Sequence, residues 1–194
     1  MKSTKNLNRN IFCIEGNWSN DLKDKASIHA ALEFLKCNAD IDFIRKDCST
    51  IEQFNLLLKT SLQKGYKKFG ILYLAFHGSE GKIHIGNRTK IDLDSIALIM
   101  DGHAIGKVIH FGSCSTLKNL TVWDLKRFLK RTGALAVSGY TEDIDFIEST
   151  VLDILYFKKY QQYQRIPMLK TQRDMKQYYG KLIKELGFKI WFKK

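Results

Sequence analysis

A histidine and a cysteine that could act together as base and nucleophile each follow a strongly apolar run of the sequence. His77 comes directly after residues 70–76, and Cys114 comes shortly after residues 108–111. A thiol attacks as the thiolate, and a neighbouring imidazole can lower its pKa and accept its proton near neutral pH. These residue types in this placement predict nucleophilic catalysis by a Cys-His dyad.

The backbone around the two side chains could complete such a site. In an open α/β sheet, functional groups collect in the loops beyond the carboxyl ends of the strands, so neighbouring strands can bring His77 and Cys114 together. The oxygen of a tetrahedral intermediate needs hydrogen-bond donors, and we expect the backbone N–H groups of Gly78 and Cys114 to provide them. Glycine at position 78 would let a substrate approach this backbone closely.

The order of histidine and cysteine along the chain narrows the enzyme class. Every histidine precedes Cys114, namely His29, His77, His84, His103 and His110. Cysteine hydrolases whose base follows the nucleophile, such as glutamine amidotransferases and papain-like enzymes, do not fit this order. We expect His110 to be structural, because it alternates with the inward positions of a buried strand. His29 lies on a predicted helix, and His84 and His103 lie in predicted surface segments, with no partner evident for any of the three. His77 is favoured as the base because it ends a hydrophobic strand.

Short β-branched and aromatic runs alternate with stretches of helical periodicity. The predicted strands lie at residues 11–14, 41–44, 70–76, 108–111 and 134–138, with a hairpin at residues 82–85 and 89–91. Two long helices then finish the chain, and the apolar face expected for the first of them comprises Ile147, Val151, Ile154 and Leu155. This alternation predicts an α/β fold with a mainly parallel central sheet flanked by helices.

Residues 71–78 followed by residues 108–115 resemble the two catalytic strand ends of the caspase-like superfamily of cysteine peptidases. Caspases, metacaspases, paracaspases, gingipains, separase and the bacterial CHAT proteases share a hydrophobic strand ending in His-Gly and a later one ending in x-Cys. Residues 136–140, with the acidic stretch and helix after them, are most similar to the CHAT-like proteases. The resemblance covers about residues 11–157.

This resemblance implies a caspase-like three-layer sandwich and a cysteine endopeptidase in which His77 and Cys114 are catalytic. The motif around the cysteine departs from caspases, because residues 112–116 read Gly-Ser-Cys-Ser-Thr instead of Gln-Ala-Cys-x-Gly. Metacaspases place an Asp where this chain has Gly112. The interval between His77 and Cys114 is also shorter than the about 50 residues known for caspases. Cleavage after Asp is therefore not implied.

The resemblance also indicates where a first specificity pocket would lie. Caspase-like enzymes build it from the loop after the first strand and the loop after the strand that follows the cysteine, which here hold Glu15 and residues 142–145. Because buried carboxylates favour a cation, Glu15 with Asp143 or Asp145 predicts cleavage after Lys or Arg. The alternative is that Asp143 or Asp145 caps the helix that starts at Phe146.

The composition predicts one intracellular domain. With 194 residues and 44% hydrophobic residues, the chain can form a single core, so we treat residues 1–194 as one peptidase domain with a basic, helical C-terminal segment at residues 158–194. The sequence has no apolar stretch long enough to cross a bilayer, and residues 1–10 lack the apolar centre of a secretion signal. We therefore expect a cytoplasmic protein that does not associate with membranes.

The remaining cysteines suggest neither a disulfide framework nor a metal site. Cys13, Cys37 and Cys48 are scattered and contain no C-x₂-C pair. Hydrolysis through a thioester requires only protein side chains and water. We therefore expect neither a metal nor an organic cofactor, and we expect Cys13, Cys37 and Cys48 to be structural.

The net charge of +12 leaves other functions open. From Tyr156 onward, basic residues are interleaved with aromatic ones, a pattern that can bind single-stranded nucleic acid or can be a solvated helix face with an aromatic core side. A catalytically silent caspase-like adaptor is a further alternative. The expected partners are a protein or peptide substrate and a regulatory protein, with nucleic acid as the less favoured choice.

Overall fold

Nine strands lie within the residues that the computed structural model describes, which are 9–21, 23–86, 89–163 and 167–193. They are β1 (Ile11–Glu15), β2 (Phe43–Asp47), β3 (Ile71–Ala75), β4 (His77–Ser79), β5 (Lys82–Ile85), β6 (Thr89–Asp92), β7 (Val108–Gly112), β8 (Ala136–Tyr140) and β9 (Phe188–Phe192). The main sheet has the order β2-β1-β3-β7-β8-β9, and β4, β5 and β6 form a small antiparallel sheet.

The main sheet is parallel except at one edge. Strands β2, β1, β3, β7 and β8 run in the same direction, and β9 is antiparallel to β8. Every residue of β1, β3, β7 and β8 is buried, as expected for parallel strands with helices on both faces. The predicted α/β class with a mainly parallel, helix-flanked sheet is confirmed.

Six α-helices within the described residues cover the sheet. They are α1 (His29–Ala39), α2 (Ile51–Ser61), α3 (Leu93–Met100), α4 (Val122–Thr132), α5 (Phe146–Gln161) and α6 (Pro167–Glu185). Helices α2, α3 and α4 contribute to the core on one face, and α1, α5 and α6 to the core on the other. Over these same residues, no helix has both the length and the apolar character that crossing a membrane would require.

Helix α5 buries a different face from the one predicted from its aliphatic residues. Ile147 is 67% exposed and Val151 is 45% exposed, whereas Leu152 and Tyr156 are buried. Tyr156 and Phe157 pack against the ring of His110 in the sheet, with ring centroids 5.6 and 5.3 Å apart. Asp153 lies on the same buried face because side chains of the sheet donate hydrogen bonds to it.

The C-terminal segment contributes a strand to the main sheet, so the prediction that residues 158–194 are helical throughout is wrong. Helix α6 ends at Glu185, and Gly187, with φ of 62°, adopts the left-handed conformation that commonly ends a helix. The β-branched and aromatic run that follows favours a strand. Strand β9 pairs with β8 over its whole length, from Phe188 opposite Tyr140 to Phe192 opposite Ala136.

Candidate active site

His77 and Cys114 face a shared cavity because they leave neighbouring parallel strands at the same edge of the sheet. Strands β3 and β7 pair in register up to Ala75 opposite Gly112. The chain reaches His77 two residues after Ala75 and Cys114 two residues after Gly112. Both residues line one cavity of ≈ 240 Å³. The structure therefore brings the predicted dyad residues to a single site.

The cavity has apolar walls and a small number of polar groups. Its lining includes Trp18, Ile28, Phe76, Ile144 and Phe146 on the apolar side, and Asp24, Tyr73, Ser149, Thr150 and Asp153 on the polar side. Its volume is below the about 300–1,000 Å³ of typical small-molecule clefts, so it suits one side chain better than an organic cofactor. Within the described residues, no group of three or more His, Cys, Asp or Glu side chains could hold a metal ion.

The backbone of Trp18 orients the imidazole of His77. The Trp18 carbonyl oxygen lies 2.8 Å from His77 Nε2. A carbonyl oxygen only accepts, so Nε2 carries a proton, and the neutral form of the ring with this tautomer has its lone pair on Nδ1. The indole packs edge-on against the imidazole with ring centroids 5.4 Å apart. These contacts hold the tautomer in which Nδ1 can act as a base.

Buried Glu15 anchors the segment that carries Trp18. Its carboxylate accepts hydrogen bonds from Trp18 Nε1 at 2.6 Å, Ser27 Oγ at 2.9 Å and the Ile28 backbone N–H at 2.8 Å. It also forms an ion pair with Arg45. Glu15 is thus fully satisfied by the fold and does not line the cavity.

The Cys114 thiol is partly buried and contacts the loop after β8. Its Sγ lies 3.8 Å from the Ile144 carbonyl oxygen. Among the described residues, no hydrogen bond links Cys114 to His77 or occupies the Cys114 backbone N–H. Catalytic hydrogen bonds are often long or absent without substrate, so this geometry is compatible with a dyad. The free amide of Cys114 could donate to an oxyanion.

Hydrogen bonds beyond Cys114 fix the Cys114 loop, which we define as residues 113–117, to the end of β8. Ser115 has φ of 51°, a left-handed conformation that is strained for a residue other than glycine. Its backbone N–H donates to the Glu142 carbonyl at 2.9 Å, and its Oγ donates to Asp143 Oδ1 at 2.5 Å. The Leu117 N–H donates to the Tyr140 carbonyl at 2.9 Å. These bonds hold the strained turn that presents Cys114.

Glycine is required at position 78 for a reason that differs from the prediction. A Cβ there would lie 2.4 Å from Thr116 Oγ1 and 2.5 Å from the Cys114 carbonyl oxygen. Strand β4 therefore packs directly on the Cys114 loop, and Gly78 makes that contact possible. Gly78 is not among the residues that line the cavity, so this close packing is the requirement for glycine that the structure shows.

Gly112 is required by an aromatic ring beneath the site. A Cβ at this position would lie 2.4 Å from the ring of Tyr73 on β3. In this chain, the Tyr73 ring fills the space in which a side chain at position 112, such as the Asp of metacaspases, would lie.

The predicted specificity residues have roles within the fold. Asp145 is the N-cap of α5 and accepts from the backbone N–H groups of Ile147 at 2.8 Å and Glu148 at 2.9 Å. Asp143 is exposed and accepts from Ser115. Neither lines the cavity, and neither does Glu15. The structure therefore does not assemble an acidic pocket from these three carboxylates, and the capping alternative holds for Asp145.

Asp153 is the buried carboxylate of the cavity, and sequence reasoning missed it. It is 3% exposed and accepts hydrogen bonds from Tyr73 at 2.7 Å, Tyr140 at 2.5 Å and His110 Nε2 at 2.8 Å. Burial, and then the charge of Asp153, raise the pKa of Tyr73 and Tyr140, so both phenols remain donors. The other ring nitrogen of His110, Nδ1, lies 3.0 Å from Ser138 Oγ, which confirms its predicted structural position.

The other cysteines differ from Cys114. Burial raises the pKa of the Cys48 thiol to about 11 and that of Cys13 well above its usual value. Cys37 is exposed on α1 and away from the cavity. Among the four thiols, only Cys114 lines the cavity with a histidine.

The aromatic residues of the basic C-terminal segment are divided between core and surface. Tyr156 and Tyr160 are buried against the sheet. Tyr178 is 60% exposed, and the Lys159 ammonium lies 4.7 Å from its ring centroid. Tyr156 and Tyr160 therefore belong to the aromatic core side of the helices. Tyr178 and Lys159 instead form a small surface that is both cationic and aromatic.

Comparison with known proteins places the chain in a family without revealing a function. None of the curated proteins matches it. One family profile matches residues 8–192, which include every strand of both sheets and the cavity. Since that match covers nearly the whole chain, the protein belongs to the family of unknown function DUF6642.

Proposed function

We propose that this protein is a caspase-like cysteine endopeptidase with Cys114 as nucleophile and His77 as its catalytic partner. The observation that carries the proposal is the joint placement of the two residues. Both stand beyond the carboxyl ends of adjacent parallel strands, both line one cavity, and the His77 tautomer leaves Nδ1 as the free base. A buried structural pair would need none of these features.

The reaction follows from the available groups. His77 Nδ1 accepts the Cys114 thiol proton, and the thiolate sulfur bonds to the carbonyl carbon of the substrate. The Cys114 backbone N–H, with that of Gly78, donates to the oxyanion. The C–N bond then breaks as His77 protonates the amine, which leaves a thioester at Cys114. Water, deprotonated by His77, hydrolyses the thioester and restores the thiol. No metal or organic cofactor takes part.

The shape and charge of the cavity favour cleavage after Lys or Arg. Apolar walls, which include Ile28 and Phe146, suit the methylene stem of such a side chain, and the Asp153 carboxylate suits its cationic head. Asp24 adds an exposed carboxylate to the lining. We therefore assign the specificity role first given to Glu15, Asp143 and Asp145 to Asp153 and Asp24. The proposed partners are protein or peptide substrates and a regulatory protein in the cytoplasm.

The proposal is tested by cleavage of a peptide library with wild-type protein and Cys114→Ala in parallel. Cys37→Ala is the matched control, because this cysteine is exposed and lies outside the cavity. Wild type and Cys37→Ala should cut after Lys or Arg, and Cys114→Ala should be inactive. Cleavage by Cys114→Ala would rule out the nucleophile, and a profile favouring Asp or apolar residues would rule out the acidic pocket alone.

A catalytically silent adaptor is a second candidate, because Cys114 contacts the Ile144 carbonyl and not His77. Alkylation of Cys114 at different pH values separates the two functions. An enzyme should show a thiol pKa below the about 8.5 of a free cysteine, and His77→Ala should raise it. An adaptor should show an ordinary thiol that His77→Ala does not change.

Nucleic-acid binding is supported by exposed Tyr178, whose ring lies beneath the Lys159 ammonium. Stacking and phosphate contacts at this surface would retain single-stranded RNA or DNA at low salt and release it at higher salt. Tyr178→Ala should then weaken retention without affecting peptide cleavage. Absence of retention at low salt would remove this function.

A further inference from the structure

Strand β9 offers an open edge of the main sheet. It pairs with β8 on one side, and no strand within the described residues pairs with its other side. The Lys193 N–H donates to the Leu135 carbonyl, and the Thr141 N–H donates to the Gly187 carbonyl. These bonds fix the antiparallel alternation, in which the backbone groups of Phe188, Ile190 and Phe192 point away from β8.

Two grooves with apolar residues flank this edge. One has a volume of ≈ 380 Å³ and lies beside α6, where its lining includes Met175, Ile183 and Phe188. The other has a volume of ≈ 600 Å³ and lies beside α4, where its lining includes Val122 and Leu129. Trp191 lines both grooves, so they meet at β9. Alternate side chains of an added strand point to opposite faces and could enter the two grooves in turn.

The lining of both grooves carries cations and no carboxylate. The basic residues are Arg173, Lys176 and Lys189 in the groove beside α6, and Lys126, Lys130 and Lys193 in the groove beside α4. An acidic segment complements this charge. A second copy of the same chain would bring the same cations to the contact and would be repelled.

We propose that the β9 edge binds an extended, acidic segment of a partner protein with alternating apolar residues by strand addition. Backbone hydrogen bonds to Ile190 and Phe192 provide the pairing, the grooves receive the apolar side chains, and the surrounding cations attract the acidic ones. The Gln172 side-chain amide, which donates to the Ile190 carbonyl at 2.9 Å, occupies one of these positions and is displaced or shared on binding. This surface is separate from the cavity at Cys114.

The probe is a short fluorescent peptide in which Glu and Val alternate, with a peptide of the same composition in two blocks as control. Anisotropy should show binding of the alternating peptide only. In wild-type protein, amide hydrogen exchange at Ile190 and Phe192 should slow when the peptide binds. The Trp191 amide faces β8, so it should be protected already and should change little.

Charge reversal provides an independent readout. The triple variant Lys126→Glu, Lys130→Glu and Lys193→Glu should weaken peptide binding at least about tenfold, because it reverses the charge of one groove. The matched control is Lys64→Glu, Lys67→Glu and Lys68→Glu, which reverses exposed lysines that do not line either groove and should bind normally.

Several results would overturn strand addition at β9. Equal binding of the two peptides, or binding without slower exchange at Ile190 and Phe192, would exclude it. Protection of these amides by self-association of the free protein would assign the edge to a second copy. Protection by single-stranded RNA but not by the peptide would assign it to nucleic acid. Since the exchange measurement uses the wild-type protein, poor folding of a variant leaves the test intact.

Discussion

Glu15 at the end of β1 and Asp153 in α5 are both buried carboxylates beside the same site, yet their partners differ. Glu15 forms an ion pair with Arg45 and accepts from Trp18, whose carbonyl holds His77. Asp153 accepts from phenols and an imidazole, and within the described residues no Lys or Arg contacts it. Glu15 does not line the cavity, whereas Asp153 does.

This difference shows that a buried carboxylate can have either of two roles, depending on its partners. Where the fold itself supplies a cation, a buried carboxylate is a structural anchor, and removing it takes away the buried partner of that cation. Where the described residues supply phenol and imidazole donors but no Lys or Arg, the carboxylate remains able to attract a cationic side chain from a ligand. In the proposed peptidase, Glu15 therefore has the role of positioning His77, and Asp153 has the role of selecting the substrate.

The largest expected effect is on stability. Glu15→Ala should lower the free energy of unfolding by about 3–5 kcal/mol, because it breaks a buried ion pair and leaves several donors unsatisfied. Urea unfolding measures this loss. Asp47→Ala is the matched control, since Asp47 is the exposed partner of the same Arg45 and should cost at most about 1 kcal/mol. If both variants lowered the free energy of unfolding by a similar, small amount, Glu15 would not be a structural anchor distinct from the surface ion pair of Asp47.

The next effect is on specificity. Asp153→Asn should reduce kcat/KM for cleavage after Lys or Arg by about 2–5 kcal/mol of transition-state stabilisation, or tens- to thousandsfold. Alkylation of Cys114 by a small reagent should stay at the wild-type rate, which distinguishes lost specificity from misfolding. Asp143→Asn, at an exposed position outside the cavity, should keep the wild-type profile. If Asp143→Asn lost cleavage after Lys or Arg and Asp153→Asn kept it, the pocket would contain Asp143, as the sequence analysis predicted.

His77→Ala should lower turnover at least about a hundredfold, the scale of a general acid–base group. His84→Ala is the control, because His84 lies opposite His77 in the β4–β5 pair and bonds to Ser79 at 2.8 Å. It should keep most activity. If His84→Ala were inactive and His77→Ala active, the Trp18–His77 contact would have no role in catalysis.

The smallest effect concerns Asp145. Asp145→Ala should cost about 1 kcal/mol of stability because α5 loses its N-cap, with no change in cleavage preference. Thermal unfolding and peptide cleavage together measure both parts. A change in preference for Lys or Arg without a loss of stability would show that Asp145 contacts substrate.

Much of the framework followed from local signals. The apolar runs before His77 and Cys114 predicted central strands, and the pairing of β3 with β7 places both residues at one edge. Gly133, with φ of 76°, adopts the left-handed conformation that ends α4, and a glycine after a helical segment is a local signal of such an end. Each of these features is determined by a short segment of neighbouring residues, so it can be predicted from one sequence without an alignment.

The misses depend on contacts between distant segments. Asp153 reads as a polar residue of a helix until the positions of Tyr73, Tyr140 and His110 are known. Glu15 reads as an available carboxylate until Arg45 is placed beside it by the pairing of β1 with β2. The aromatic and β-branched residues of β9 are a local signal for a strand. The prediction nevertheless extended the helical periodicity of the preceding segment through residues 188–192.

The most direct test of the account is the labelling site of a peptidyl acyloxymethyl ketone with Lys at the position next to the warhead. The thiolate displaces the carboxylate and forms a stable thioether, which peptide mass spectrometry locates. We predict a single adduct at Cys114 that is lost in His77→Ala, with Cys13 and Cys48 unmodified because their thiols remain protonated. An adduct at exposed Cys37, or none at all while iodoacetamide still modifies Cys114, would contradict the proposed peptidase site.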